Sequence, residues 1–213
     1  KIASLLGIWA SEPNMKDLEK VVHNVENPKA QVKIGIVGKY TDLIESYKSL
    51  DEALRHGAIA NQVELKMEYI DAEDIENGKR DQLESVDGIL VPGGFGERGT
   101  EGKIEAIRFA RENKVPYFGI CLGMQLAIIE FARNIAKVKN ATSMEFDKGG
   151  DFVVHYMEGQ TKEGSKGGSM RLGAYDCHLE KGTLAHKIYG QTNISERHRH
   201  RLEVNNKFVP QLK

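Results

Sequence analysis

Apolar positions along this chain change their period repeatedly, and each change marks an element. Val32-Lys33-Ile34-Gly35-Ile36-Val37-Gly38 is a short, mostly apolar run closed by glycine, which predicts a buried strand. From Ser46 to Asn61 the apolar residues Tyr47, Leu50, Ala53, Leu54 and Ala58 recur near helical spacing. Val63 to Ile70 alternates apolar and polar residues, as a second strand would. Val86 to Pro92 reads as a third strand, stopped by its proline. Thr100 to Glu112 is helical, with Ile104, Ile107, Phe109 and Ala110 on its inner face. A short apolar strand from Val115 then turns at Gly119-Ile120-Cys121-Leu122-Gly123 into an amphipathic run from Leu122 to Ile135. This βαβαβα rhythm predicts an α/β fold, an open, mostly parallel central sheet with helices on both faces. Ligands of such sheets bind beyond the carboxyl ends of the strands, where Gly93 and Cys121 fall.

After Ile135 the rhythm breaks. Phe152 to Met157 and Met170 to Leu179 read as strands, separated by a Gly/Lys/Ser-rich loop from Gly159 to Gly168. Ahead of the first strand, residues 1–30 mix charge, Asn and two prolines (Pro13, Pro28) around a weak helical stretch from Met15 to Val25. They read as a linker with a packing helix, leaving 31–213 as the folded domain. No internal repeat is visible.

At 213 residues the chain is long enough for one domain with a sizeable core. Its 30 basic and 31 acidic residues leave a net charge of −1, so no nucleic-acid or anionic-membrane surface is expected. No apolar run approaches the roughly 18 residues that span a bilayer, and the start lacks the pattern of a signal peptide. Cys121 and Cys177 offer neither metal-ligand spacing nor a disulfide framework, so no metal site and a cytoplasmic location are expected. A start at Lys1 rather than Met hints at a piece of something longer.

The chemistry concentrates at Cys121. A strand turning sharply into a helix at a cysteine flanked by glycines is a nucleophile elbow. Gly119 and Gly123 lack a β-carbon, so chain and helix can crowd the turn that lifts the sulfur out of the sheet. At a helix N-terminus the partial positive charge would favour thiolate. The plainer alternative is a buried structural cysteine. Between the third strand and its helix lies Pro92-Gly93-Gly94-Phe95-Gly96-Glu97-Arg98-Gly99, and Gly94 to Gly99 satisfies Gly-x-Gly-x-x-Gly. Pro92, and the lack of an acidic residue at the end of the next strand, weigh against a dinucleotide site. An oxyanion loop fits better, each of its backbone donors being worth about 2.7–4 kcal/mol in the transition state. A base is also needed. His178 and Glu180 could point to one face of a strand, although a solvated strand-end histidine is at least as ordinary. His198 and His200 are alternatives within Glu196-Arg197-His198-Arg199-His200-Arg201, a run that is a solvated basic face or, less commonly, an anion-recognition patch.

Pro-Gly-Gly-Phe-Gly-x-Arg-Gly (92–99), Gly-Ile-Cys-Leu-Gly-Met-Gln (119–125), Gly-Gly-Ser-Met-Arg-Leu-Gly (167–173) and Glu-Arg-His-Arg-His-Arg (196–201) together resemble the glutaminase domains of the CTP synthase family. These belong to the class I (triad) glutamine amidotransferases. Val37 to Tyr40 and Ser49 to Leu54 are similar to the opening of that domain, and residues 1–30 to the interdomain linker. The resemblance implies that Cys121 attacks the side-chain amide of L-glutamine, forming a thioester and releasing ammonia. It implies an oxyanion hole from the amides of Gly94 and Leu122, and Gln125, Glu145 and Arg201 as holders of the glutamine head group. A carboxylate suits the α-ammonium and a guanidinium the α-carboxylate. Phe95, Arg98, Gly99 and Glu101 match a mobile lid through which GTP activates the family.

An N-terminal synthetase domain, absent from this sequence, would use the ammonia with ATP and Mg²⁺ to aminate UTP to CTP, in a homotetramer built mostly by that domain. This domain itself is expected to need no cofactor. Two departures stand out. Leu202 replaces the tyrosine that usually follows the basic run, and the sequence ends at Lys213 without the His-Pro-Glu-Phe segment that carries the family's catalytic His and Glu. His178 and Glu180 precede the basic run, so they do not correspond to the triad, and slow ammonia release is expected from the chain as given. A silent glutamine- or GTP-binding module and a dinucleotide-dependent oxidoreductase are the alternatives.

Overall fold

The computed structural model describes residues 2–8, 14–39, 47–146, 149–157, 160 and 171–212. In chain order, α1 (Ile2–Leu5) and α2 (Lys16–Glu26) precede β1 (Ala30–Gly38), α3 (Lys48–Asn61) and β2 (Val63–Asp71). Two short helices, α4 (Ala72–Glu76) and α5 (Asp81–Glu84), lead to β3 (Gly88–Val91), α6 (Thr100–Asn113), β4 (Tyr117–Gly119) and α7 (Leu122–Asn134). The remainder is β5 (Ala141–Ser143), a 3₁₀ turn (Met144–Phe146), β6 (Asp151–Tyr156), β7 (Arg171–His178), α8 (Leu184–Tyr189), β8 (Asn193–His200), β9 (Leu202–Val204) and α9 (Val209–Leu212).

The central sheet runs β2-β1-β3-β4 and every pairing in it is parallel. From β1 the chain crosses to β2 on one side, and β3 then returns to the other. That reversal parts the connections above Gly38 and Val91 and opens a crevice at the carboxyl ends of β1 and β3. Side chains alternate across the sheet. Val37, Ile89 and Val91 join Ile104, Ile107 and Ala110 of α6 and Leu122, Leu126 and Ile129 of α7 in one buried cluster. On the opposite face, the Tyr47 hydroxyl at the start of α3 lies against Gly38, where a β-carbon would sit 2.4 Å away. The expected α/β layering, with helices on both faces, is thus present.

Helix α2 matches the stretch expected between Met15 and Val25. It is joined to the domain where the Asn24 side chain donates to the Ile59 carbonyl (3.0 Å) and accepts from Gln62 (2.8 Å).

Beyond α7 the chain does not extend the central sheet. A second sheet of order β5-β6-β9 is mixed, and β7 pairs with β8 as an antiparallel ribbon. The strand expected from Met170 is present as β7, and the basic run makes up most of β8. The loop from Gly159 to Gly168 and the first part of the 167–173 motif lie outside the described residues, apart from Gln160.

Candidate active site

Strand β4 delivers Cys121 to the top of the sheet, and α7 begins at the next residue. Cys121 has φ 52° and ψ −103°, a conformation that L-residues seldom adopt and that costs of order 1–3 kcal/mol. The surroundings enforce it. The Ile120 amide donates to the Val91 carbonyl (3.0 Å), the Gly123 amide to Ile120 (2.9 Å) and the Gln125 amide to Cys121 (3.1 Å). The Tyr117 hydroxyl donates to the Gly123 carbonyl at 2.8 Å. A β-carbon at Gly119 would lie 2.5 Å from the Gly123 carbonyl carbon, and one at Gly123 would lie 2.1 Å from the Val91 oxygen. The crowding read from the two glycines is therefore physical, backbone against backbone.

The Cys121 thiol departs from one expectation. Burial pushes its pKa up, the Leu122 amide bonded to the sulfur pulls it back, and the Glu145 carboxylate raises it further, so the net direction is upward. A helix terminus supplies one favourable amide, but the site is partly desolvated and faces a like charge.

Cys121 opens into a pocket of about 530 Å³ shared with Gly94, Phe95, Gln125, Glu145, Arg201 and Leu202. Gly93 and Gly94 run alongside Cys121, since β-carbons on them would fall 3.4 Å from Cys121 Cβ and 3.5 Å from Leu122 Cδ2. Gln125, on the first turn of α7, is only 4% exposed, and its Oε1 has no hydrogen-bond partner among the described residues. Glu145 is placed by the 3₁₀ turn after β5, where its amide donates to Ser143 Oγ (3.2 Å). Its Oε1 accepts from the Gly96 amide at 2.9 Å, which ties the glycine loop to the pocket wall. Arg201 lies at the bend between β8 and β9, with its carbonyl fixed by the Met157 amide (2.9 Å).

The structure divides Phe95 from Arg98, Gly99 and Glu101. Phe95 lines the Cys121 pocket and is 68% exposed, and its carbonyl accepts the Lys39 ammonium. Arg98, Gly99 and Glu101 instead line a separate groove with Glu73, Glu76 and Arg80. There Arg98 pairs with Glu73, while Glu101 pairs with Arg133 at 3.0 Å. Among its described lining residues that groove has no cysteine, serine or threonine.

The histidines also separate. His178 Nδ1 lies 2.9 Å from Asn193 Oδ1 on the ribbon and does not line the pocket, while His198 packs edge-on against Tyr175 and His200. Among the described residues His200 is the one histidine in the pocket wall, and Arg199, not singled out in the sequence, joins it there. Leu202 is buried and contributes to both the core and the pocket. No group of three or more His, Cys, Asp or Glu among the described residues could hold a metal ion, and no helix there is long and apolar enough to cross a membrane.

Residues 42–212 match the family described as glutamine amidotransferase class-I. The chain is 54% identical to the CTP synthase of Geobacter metallireducens over 98% of its own length and 39% of that enzyme. It is 52% identical to the CTP synthase of Maridesulfovibrio salexigens over its full length and 42% of the relative. It thus spans about two fifths of the length of these curated relatives. Among solved structures, the Trypanosoma brucei CTPS glutaminase domain with bound acivicin superposes with a TM-score of 0.78 at 42% identity, over 85% of this chain and 71% of that one. A strained strand-to-helix turn at Cys121, a parallel sheet carrying it and these matched lengths agree, and the chain belongs to the class-I glutamine amidotransferase family, among the glutaminase domains of CTP synthases.

Proposed function

We propose that this chain hydrolyses L-glutamine at Cys121. The sulfur attacks the side-chain carbonyl, the thiol proton leaves with the amide nitrogen as ammonia, and a glutamyl thioester remains. Water then cleaves the thioester to glutamate and restores the thiol. The amides of Gly94 and Leu122 receive the oxyanion, where each donor is worth about 2.7–4 kcal/mol. Glu145 takes the α-ammonium, Arg201 the α-carboxylate, and Gln125 accepts a substrate N–H through its orphaned Oε1. The observation that carries this reading is the convergence of Cys121, Gln125, Glu145 and Arg201 on one pocket from three separate stretches of chain.

The same reading extends to the larger protein. A synthetase domain is the partner that consumes the ammonia, aminating UTP to CTP with ATP and Mg²⁺, and a cytoplasmic homotetramer is the assembly. GTP acts through the loop of Phe95, Arg98, Gly99 and Glu101. The Gly96–Glu145 hydrogen bond supports such a route, because the loop and the proposed ammonium site share one carboxylate.

The test is mass spectrometry after exposure to a glutamine-like diazo-ketone, with the exposed Cys177 as internal control. A stoichiometric adduct confined to Cys121, and blocked by excess glutamine, is expected. Labelling of both cysteines alike, or of neither in a folded chain, would remove the proposal.

A further inference from the structure

Behind the oxyanion loop lies a second, smaller cavity of about 190 Å³, lined by Gly38, Lys39, Tyr47, Gly93, Gly94 and Lys103. It occupies the crevice where the connections of β1 and β3 part, the place at which open α/β sheets bind ligands. Two of its walls are cationic. Lys103 sits in the first turn of α6 at 3% exposure, and its ammonium has neither a hydrogen bond nor an ion pair among the described residues. Lys39 reaches in from the end of β1 and donates to the Phe95 carbonyl.

A lysine in this position is electrostatically misplaced three ways. It is desolvated, it faces a second lysine, and it stands at the positive end of a helix. Burial and then Lys39 push its pKa down to about 8. The two carboxylates that partly offset this, Glu76 and Asp71, are bonded elsewhere. Asp71 caps α4 by accepting the Glu73 amide (2.7 Å), and Glu76 accepts the Gly102 amide (3.1 Å). A buried ammonium left without a bonded counter-charge is expensive unless a ligand supplies one.

We propose that this crevice is an oxyanion-binding site for a single phosphate group, held by the ammonium groups of Lys39 and Lys103. Its volume of about 190 Å³ leaves room for one tetrahedral oxyanion between the two ammonium groups. The group is therefore free phosphate or the terminal phosphate of a nucleotide whose remainder lies outside. The site is independent of the thiol chemistry at Cys121, although Gly94 borders both pockets.

The experiment is thermal denaturation of the chain titrated with inorganic phosphate at constant ionic strength, chloride serving as the reference anion. At phosphate ten times its dissociation constant, the melting temperature should rise by about 3–6 °C. Lys103→Met keeps the stem and deletes the charge, so it should lose the phosphate-dependent rise and melt higher than wild type without phosphate. Lys39→Met should lose the rise as well, and it decides the matter if Lys103→Met does not fold. A nucleoside triphosphate binding more tightly than phosphate identifies the nucleotide source, and equal affinity identifies the free anion. No phosphate-specific rise in the wild type, or an undiminished rise in the lysine variants, would overturn the proposal.

Discussion

Replacing Gly123 with alanine is the sharpest perturbation of the elbow, because the added methyl has nowhere to go. Its β-carbon would lie 2.1 Å from the Val91 oxygen and 3.0 Å from the Val91 carbonyl carbon. Ordinary contact begins near 3.4 Å, so α7 must retreat from β3 by about 1.3 Å. The obstacle is strand backbone, and no rotamer change can relieve it. The same Val91 carbonyl accepts the Ile120 amide that holds Cys121 in its strained turn, so the retreat loosens Cys121 too. Overpacking of this kind costs about 1–3 kcal/mol, or about 2–12 °C in Tm for a chain of this size. A displacement of about 1 Å at the reacting atom can cost 10²-fold in rate. Gly57→Ala is the matched control, since Gly57 lies exposed inside α3 with nothing within 4 Å of the new methyl. That change should stabilise by roughly 0.5–1 kcal/mol, raising Tm by about 1–4 °C. The two variants are compared by calorimetry and by the rate of Cys121 alkylation. If Gly123→Ala melts with the wild type and alkylates at the same rate, or if both substitutions shift Tm in one direction, the close approach of helix and strand does not depend on the missing β-carbon.

Three further outcomes follow from the same packing. Glu145→Gln removes the charge that opposes the thiolate yet keeps an acceptor for Gly96, so the pH profile of Cys121 alkylation by neutral iodoacetamide should move to lower pH; an unmoved or higher midpoint would contradict the assigned cause. Glu130 is 1% exposed and accepts from Arg111 (2.8 Å) and Asn134 (2.9 Å), so Glu130→Ala should leave the part-exposed Arg111 with Glu112 (3.3 Å) alone and cost about 1.5–3 kcal/mol by denaturant titration, against less than about 1 if the pair is dispensable. Tyr117→Phe leaves the Gly123 carbonyl without its hydroxyl donor and should cost about 0.5–1.5 kcal/mol, with a measurable slowing of Cys121 alkylation; stability unchanged to within error would mean that this bond does not brace the elbow.

The first half of the molecule was legible because its elements are long and locally consistent. Apolar runs before Gly38 and Pro92, and helical spacing in the segments that became α3, α6 and α7, each point to the element found there. The second half obeys no such rule. Strands β5 and β9 have three residues each, too few to show a period, and β8 is a strand despite a sequence of alternating His and Arg. What fixes β8 is pairing with β7 along its whole length, a tertiary fact. The site divides along the same line. Cys121 and its glycines form a contiguous motif, whereas the division of Phe95 from Arg98 and Glu101, which lie in different grooves, depends on Glu73 and Arg133 far away in sequence. Lys103 left one readable trace: a lysine in the first turn of a helix, beside its apolar face, runs against the helix dipole.

The reactivity of Cys121 was illegible for a related reason. Its sequence position promises a helix N-terminus and an easily formed thiolate, and the Leu122 amide does act that way. Burial outweighs it, and Glu145 adds to burial from a turn that no local pattern connects to the elbow. That carboxylate is shared between the Gly96 amide and the field at the sulfur. A glutamine α-ammonium resting on Glu145, as proposed above, would neutralise the charge that holds the thiol protonated. The substrate would then promote ionisation of the group that attacks it, and the thiol would stay protonated until glutamine arrives. The same carboxylate would have to divide itself between substrate and loop, so any ligand that draws Gly96 away from Glu145 would reach the nucleophile without touching it.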